Sequence, residues 1–252
     1  MKDSSEYAAK LKKLYNRIKR GGFKHTEPAV QDVTTELLVA CLSAYNTENK
    51  ARTLLGRLRS NYVDYNELRI SRTAEAIDIL GKNAQRARET ALQLLTLLRS
   101  VYDKQDSLDL EELRQLNKRD AKTFLEGLEG ADAYVVGRIM LRALGAHAFP
   151  VNEQMLAMLR AEEVVSPEAS LSQVQGFLER QISVTDVHAM YAALRHHADA
   201  FRPSAAKKKT AKKSGEAAKK TAKKAVKKTV KKAVKKTVKK TAAKASKSKE
   251  GT

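Results

Sequence analysis

The sequence predicts an all-α body followed by a cationic, irregular tail. Three observations carry that expectation. Leu, Ala, Arg and Glu dominate the body, a helical composition, while Trp is absent and aromatics are only 5% of the chain. Apolar residues recur there at three- and four-residue spacing, and no run alternates over the length of a strand. Charge is also divided very unevenly. The 252-residue chain has a formal net charge of +20, and residues 207–252 hold twenty lysines, two glutamates and no other charge, +18 of that total. The first 206 residues therefore sum to only +2. The expected organisation is a helical domain over 1–202 and a disordered basic tail over 203–252.

The helices are expected in this order. Ser4 or Ser5 caps a first helix whose apolar face is Tyr7, Leu11, Leu14, Tyr15 and Ile18, and Gly21-Gly22 ends it. A polar loop with Pro28 follows. Thr34 or Thr35 opens a second helix through Ala44, Asn46 to Glu48 turn, and 49–61 forms a third with Ala51, Leu54, Leu55 and Leu58 inward. Residues 64–81 read as a short extended or turn portion and then a helix over 73–80, stopped by Gly81. Ala87, Ala91, Leu94, Leu95 and Leu98 predict a long helix over 83–102. Shorter helices are expected over 110–116, 119–126, 133–144, 155–160, 171–181 and 187–201, with Pro203 closing the body.

Beyond Pro203, Lys-Lys pairs recur every four residues: Lys219-Lys220, Lys223-Lys224, Lys227-Lys228, Lys231-Lys232, Lys235-Lys236 and Lys239-Lys240. Like charges at i, i+4 repel on a helix, and the spacers Val226, Val230, Val234 and Val238 are poor helix formers. The free tail is expected to be disordered and to gain helix once phosphates neutralise it. It resembles the Lys/Ala-rich tails of linker-histone-like proteins. A polycation of this density seeks a polyanion, and the sugar–phosphate backbone is the partner expected: DNA, with RNA left open. The bland reading is a solubilising charge run. Membrane-surface binding is disfavoured, because the tail has no aromatic or Leu face.

Several function classes are excluded or disfavoured. The single cysteine, Cys41, lies in the apolar run LLVACL and reads as a small core residue more readily than as a reactive thiol. One cysteine permits no disulfide framework, zinc site or iron–sulfur ligand set within the chain, so no cofactor is expected. The opening MKDSSE has no apolar h-region, and no stretch approaches membrane-spanning length, which fits an intracellular, DNA-associated protein. His196-His197 are adjacent on a helix and make a poor metal pair, while His147 has no partner at ligand spacing.

The segment KRDAKTFLEGLEGADAYVVGRIMLRALG, from Lys118, reads as helix, glycine link, helix. It resembles the helix–hairpin–helix of the endonuclease III (HhH-GPD) superfamily of DNA repair glycosylases, whose pattern is Leu-Pro-Gly-Val-Gly-x-Lys-Thr-Ala. Here the pattern reads Leu128-Glu129-Gly130-Ala131-Asp132-Ala133-Tyr134-Val135-Val136. A glycine turn before a helix leaves backbone N–H groups free to hold a phosphate, so Leu128, Gly130, Ala131 and Asp132 are candidate DNA-binding residues. ELLVACLSAYNTENKA resembles the family's Leu-Leu-x-x-x-Leu-Ser-x-Gln-Thr helix. Tyr45 stands about where the family has the glutamine that fills the gap left by a flipped nucleotide, and could stack on a base or simply be a buried helix-end residue. DYNELRISRTAEAIDILG, AFPVNEQMLAML and VQGFLERQ…MYAALRHHADAF follow in family order, so the resemblance covers about residues 5 to 201.

Its departures matter for chemistry. The lysine that forms a Schiff base in bifunctional members is replaced by Tyr134, which removes lyase chemistry. The family's Val-Asp-Thr-His supplies a catalytic aspartate; this chain reads Val151-Asn152-Glu153-Gln154. Loss of such a preorganised charge costs on the order of 10²–10⁴ in rate. Glu153 is a candidate substitute, although on a helix it points roughly 100° away from its neighbour. Asp132 stands where the family has its second glycine, either as an ordinary N-cap or as a negative charge near the expected phosphate. The resemblance thus implies a DNA-binding protein of the base excision repair type with weak or no glycosylase activity; the alternative is an active monofunctional glycosylase.

Overall fold

A computed structural model describes residues 4–24, 32–81 and 84–202, and the lysine-rich tail with its Lys219 to Lys236 pairs lies outside them. The chain divides after Phe201, into units Met1–Phe201 and Arg202–Thr252. Among the described residues the secondary structure is eleven α-helices, one 3-10 turn and no strand. The all-α expectation holds.

The helices are α1 (Ser4–Arg20), α2 (Val33–Tyr45), α3 (Glu48–Asn61), α4 (Tyr65–Ile70), α5 (Thr73–Leu80), α6 (Ala87–Gln105), α7 (Lys118–Glu126), α8 (Ala133–Arg142), α9 (Glu153–Ala161), α10 (Leu171–Gln181) and α11 (Val187–Ala200). The 3-10 turn is Glu111–Arg114. Helix α2 is the hub. Its residues from Val33 to Ala44 are all buried, which its sequence VTTELLVACLSAY permits because it is apolar nearly all round. It packs against α3, α6, α8 and α9. The pair α7–α8 forms the hairpin, and α1 lies against α11.

Three local expectations change. Helix α2 is capped by Asp32, whose carboxylate accepts the Thr35 N–H at 2.7 Å, rather than by Thr34 or Thr35. Both threonines sit inside the helix, with Thr34 Oγ1 donating to the Leu108 carbonyl. Residues 65–70, expected to be extended or turn, form α4, because the Asp64 side chain caps the Glu67 N–H and supplies the missing start signal. Helix α6 begins at Ala87 rather than 83: Arg86 has φ 48° and ψ 48°, a left-handed conformation no α-helix can contain.

Candidate DNA-facing hairpin and buried polar centre

The hairpin is built by ordinary helix-end chemistry. Helix α7 ends at Gly127, Leu128 is buried, and Gly130 turns the chain at φ +87°. That turn packs on α6 so closely that a Cβ on Gly130 would stand 3.2 Å from the Gln93 carbonyl. Asp132 is the N-cap of α8, one carboxylate oxygen accepting the Val135 N–H at 2.8 Å and the other a proton of the Gln93 amide at 3.1 Å. The Glu129 N–H donates to Ser100 Oγ and the Ala131 N–H to the Leu128 carbonyl. The hairpin's N-terminal face therefore presents two acidic side chains, and several of its N–H groups already have internal acceptors.

Tyr134 and Asn152, which the sequence resemblance aligns with the two catalytic positions, both lie in the interior, 5% and 4% exposed. They meet at the C-terminal end of α2. The last carbonyls of a helix have no intrahelical donor, and here side chains from distant elements supply it. Asn152 Nδ2 donates to the carbonyls of Ala44 at 3.1 Å and Ser43 at 3.4 Å. Its Oδ1 accepts the Met155 N–H at 2.9 Å, capping α9. One amide thus ties the end of α2 to the start of α9. Arg195, from α11, donates Nη2 to the carbonyls of Ser43 and Asn46, placing a cation at the negative end of the α2 dipole. Tyr134 Oη lies 3.0 Å from Ser43 Oγ and accepts from Arg195 Nη1 at 3.2 Å.

Beside this cluster runs a second one, not foreseen from helix periodicity. Arg138, fully buried on α8, donates Nε to Glu36 at 2.8 Å and grips both oxygens of Glu48 at 2.7 and 2.8 Å. It also reaches the Tyr191 hydroxyl at 3.3 Å. Burial alone would raise the Glu48 carboxyl, but the charge and hydrogen bonds of Arg138, with Arg195 and Arg142 beyond, hold it at about 2. Burial pushes Asp199, which pairs with Arg195 at 3.0 Å, the other way. The available signal was a lone arginine inside the apolar run AYVVGRIML: an ion surrounded by apolar neighbours requires buried counter-ions.

The remaining candidates lie at the surface. Glu153, the first residue of α9, is 63% exposed at its side chain and pairs with Arg86 at 2.8 Å. Arg86 in turn lies over the partly exposed Tyr45 ring, 4.9 Å from its centroid. Tyr45, Arg86 and Glu153 therefore form one rim cluster, above rather than among the buried groups. His147 Nε2 lies 3.0 Å from the Ile182 carbonyl, His197 pairs with Glu162, and the His196 ring meets Phe23. A groove of about 280 Å³ borders Val136, Gly137 and His147, on the face of α8 turned away from Tyr134 and Arg138.

An iron–sulfur cluster, which many members of the family carry, does not fit these residues: the only cysteine is Cys41, buried inside α2, where burial pushes its thiol pKa up. Among the described residues no group of three His, Cys, Asp or Glu side chains is placed to hold a metal ion, and no helix is long and apolar enough to cross a membrane.

No protein-family model matches the sequence, and no curated protein does. Solved structures do. The chain is similar to an endonuclease III trapped as a covalent intermediate with DNA, with a TM-score of 0.58 and 16% identity over 77% of this chain and 85% of that one. It is similar to the Clostridium acetobutylicum 8-oxoguanine glycosylase/lyase in complex with double-stranded DNA, with a TM-score of 0.57 and 19% identity over 78% and 70%. It is also similar to the H. pylori 3-methyladenine DNA glycosylase bound to 1,N6-ethenoadenine, with a TM-score of 0.55 and 14% identity over 80% and 100%. The body of this chain has the helix–hairpin–helix fold of the endonuclease III-like DNA glycosylases.

Proposed function

We infer that the chain is a DNA-binding protein of the endonuclease III-like superfamily that lacks lyase chemistry, has weak or no glycosylase activity, and is tethered to DNA by its lysine-rich tail. One observation carries the reading: the side chains at both family catalytic positions have their polar atoms committed to holding the body together. Tyr134 is a phenol and cannot form a Schiff base, and its oxygen is engaged by Ser43 and Arg195. Asn152 carries no charge, and both ends of its amide are used. A nucleobase entering this centre would have to break the Ser43–Tyr134–Arg195 bonds, each a buried polar contact costly to leave unmade. With two acids on the hairpin, the tail is the stronger source of phosphate affinity.

A second reading, an active monofunctional glycosylase, rests on Glu153, an exposed carboxylate adjacent to Asn152. Its carboxylate is already engaged by Arg86, at 2.8 Å. Single-turnover base release separates the two. Excess protein is mixed with mismatched, oxidised and abasic duplexes, and alkali reveals empty sites. The expected result is binding without release. Release by the parent protein, abolished by Glu153→Gln, would establish the enzyme instead. The tether has its own readout. With about ten lysines engaged, log affinity falls against log salt with a slope of roughly −9 on duplex DNA, and deletion of 204–252 flattens it. An unchanged slope after deletion would exclude the tether.

A further inference from the structure

The charge of the body is itself divided, and the division follows the fold. Residues 1–24 hold eight basic and two acidic side chains, a formal +6, whereas residues 25–206 hold 21 basic and 25 acidic, a formal −4. Most of that positive charge is on α1. Its apolar face, Leu11, Leu14 and Ile18, is buried. That face is therefore spent within the fold and cannot insert into a membrane surface. At 100° per residue, Lys12, Lys13, Lys19 and Arg20 fall on the opposite face around Asn16, and all five are exposed. The ion pairs of α1 are Lys10–Glu6 and Arg17–Glu162. Among the described residues Lys12, Lys13, Lys19 and Arg20 have no carboxylate partner; Lys19 lies over the Tyr15 ring, 5.2 Å from its centroid.

The place of this face in the fold adds a second argument. The tail is joined to the body through α11, and the last turns of α11 and α1 are packed together. Phe23, just past α1, contacts the His196 ring at 5.3 Å. Glu162 accepts from both Arg17 and His197, at 2.5 and 3.2 Å. Helix α11, whose C-terminal end leads in sequence into the tail, thus packs against the helix that carries this basic face. Lys12 and Lys19 are seven residues apart, roughly 10 Å along the axis. That spans about three phosphates of one strand.

We propose that α1 is a second contact surface for duplex DNA, its exposed basic face lying along the phosphate backbone. The proposal rests on the reading that the chain binds DNA, and gives that binding a folded, positioned component besides the tail. It also leaves the acidic hairpin without the dominant role in phosphate contact.

The test uses the full chain and a 30-bp duplex of arbitrary sequence. In one variant Lys12→Gln, Lys13→Gln, Lys19→Gln and Arg20→Gln are combined; all four sites are exposed and Gln is a good helix former, so the helix is retained. In the other, Asn16→Cys carries a photo-crosslinker, with the native Cys41 buried and out of reach, and Ala242→Cys serves as the tail comparator. The expected result is a salt slope smaller by about 2 to 4, together with crosslinking from position 16. A smaller slope without that crosslink is the effect of net charge alone and overturns the proposal. So does an unchanged slope, or crosslinking from position 242 only. If the four-fold variant does not fold, the crosslink at position 16 decides. No measurable affinity and no crosslink from either position would overturn the DNA-binding reading as well.

Discussion

Replacing Asn152 with aspartate restores the family's carboxylate while changing one buried group, and its cost can be worked from the structure. The amide donates to two carbonyls, at 3.1 and 3.4 Å, in a site only 4% exposed. The substitution removes both bonds and turns a carboxylate oxygen toward two carbonyl oxygens. The Ser43 carbonyl keeps its bond from Arg195, so the Ala44 carbonyl and the new carboxylate oxygen are the buried acceptors left unsatisfied, at about 1–3 kcal/mol each. A carboxylate at the N-cap of α9 still accepts from Met155 and gains about 0.3–1 kcal/mol from the helix dipole. The expected net loss in Asn152→Asp is therefore about 1–6 kcal/mol near pH 8. Burial and the facing carbonyls raise the folded-state pKa of the introduced carboxyl. Its cost is therefore present above that raised pKa and shrinks as pH falls below it, since the protonated acid can donate to one carbonyl. Chemical denaturation of parent and variant at pH 8 and pH 4 measures both terms. Equal stability within about 0.5 kcal/mol at pH 8 would refute the argument that the site is adapted to an amide. The same variant, assayed for single-turnover base release, asks whether the charge alone restores excision. Because Tyr134 and Arg195 still fill the centre, none is expected.

Other expectations concern the neighbouring groups. Arg138→Met leaves Glu36 and Glu48 facing each other without their cation and should destabilise by about 3–5 kcal/mol, whereas Arg138→Met combined with Glu36→Leu and Glu48→Leu should recover most of that loss; thermal melts that rank the two alike would contradict this. Glu48 falls from the usual 4.5 to about 2 on folding, so it contributes roughly 3 kcal/mol above pH 4.5 that is lost as pH drops toward 2, partly offset by Asp199, which burial shifts oppositely. The stability gap between parent and Glu48→Gln should therefore narrow below about pH 4.5 and close only near pH 2, and a gap independent of pH would count against it. Gly130→Ala places a Cβ 3.2 Å from the Gln93 carbonyl at a left-handed φ of +87° and should cost about 1–3 kcal/mol by denaturation midpoint, with no change in the salt slope carried by the tail.

The helices were readable because their causes are local. Leu54, Leu55 and Leu58 recur with helical spacing and are buried on α3 as that spacing requires. Gly81 and Gly130 stand where a positive φ ends or turns the chain. The tail's charge is simply composition. Locally readable errors were those of competing caps: Asp32 outranks Thr34 and Thr35 because its carboxylate reaches the Thr35 N–H, and Asp64 starts a helix whose six residues are too few to show a period. What the sequence could not determine is where the polar groups of distant helices meet. Arg195 satisfies the Ser43 carbonyl across 152 residues, Asn152 does so across 109, and Arg138 finds Glu36 across 102. No periodicity encodes those distances. They follow from packing α8 and α9 on α2 and α11 on α9 and α3, which brings donors to the unpaired terminal carbonyls of α2 that only the tertiary structure can supply.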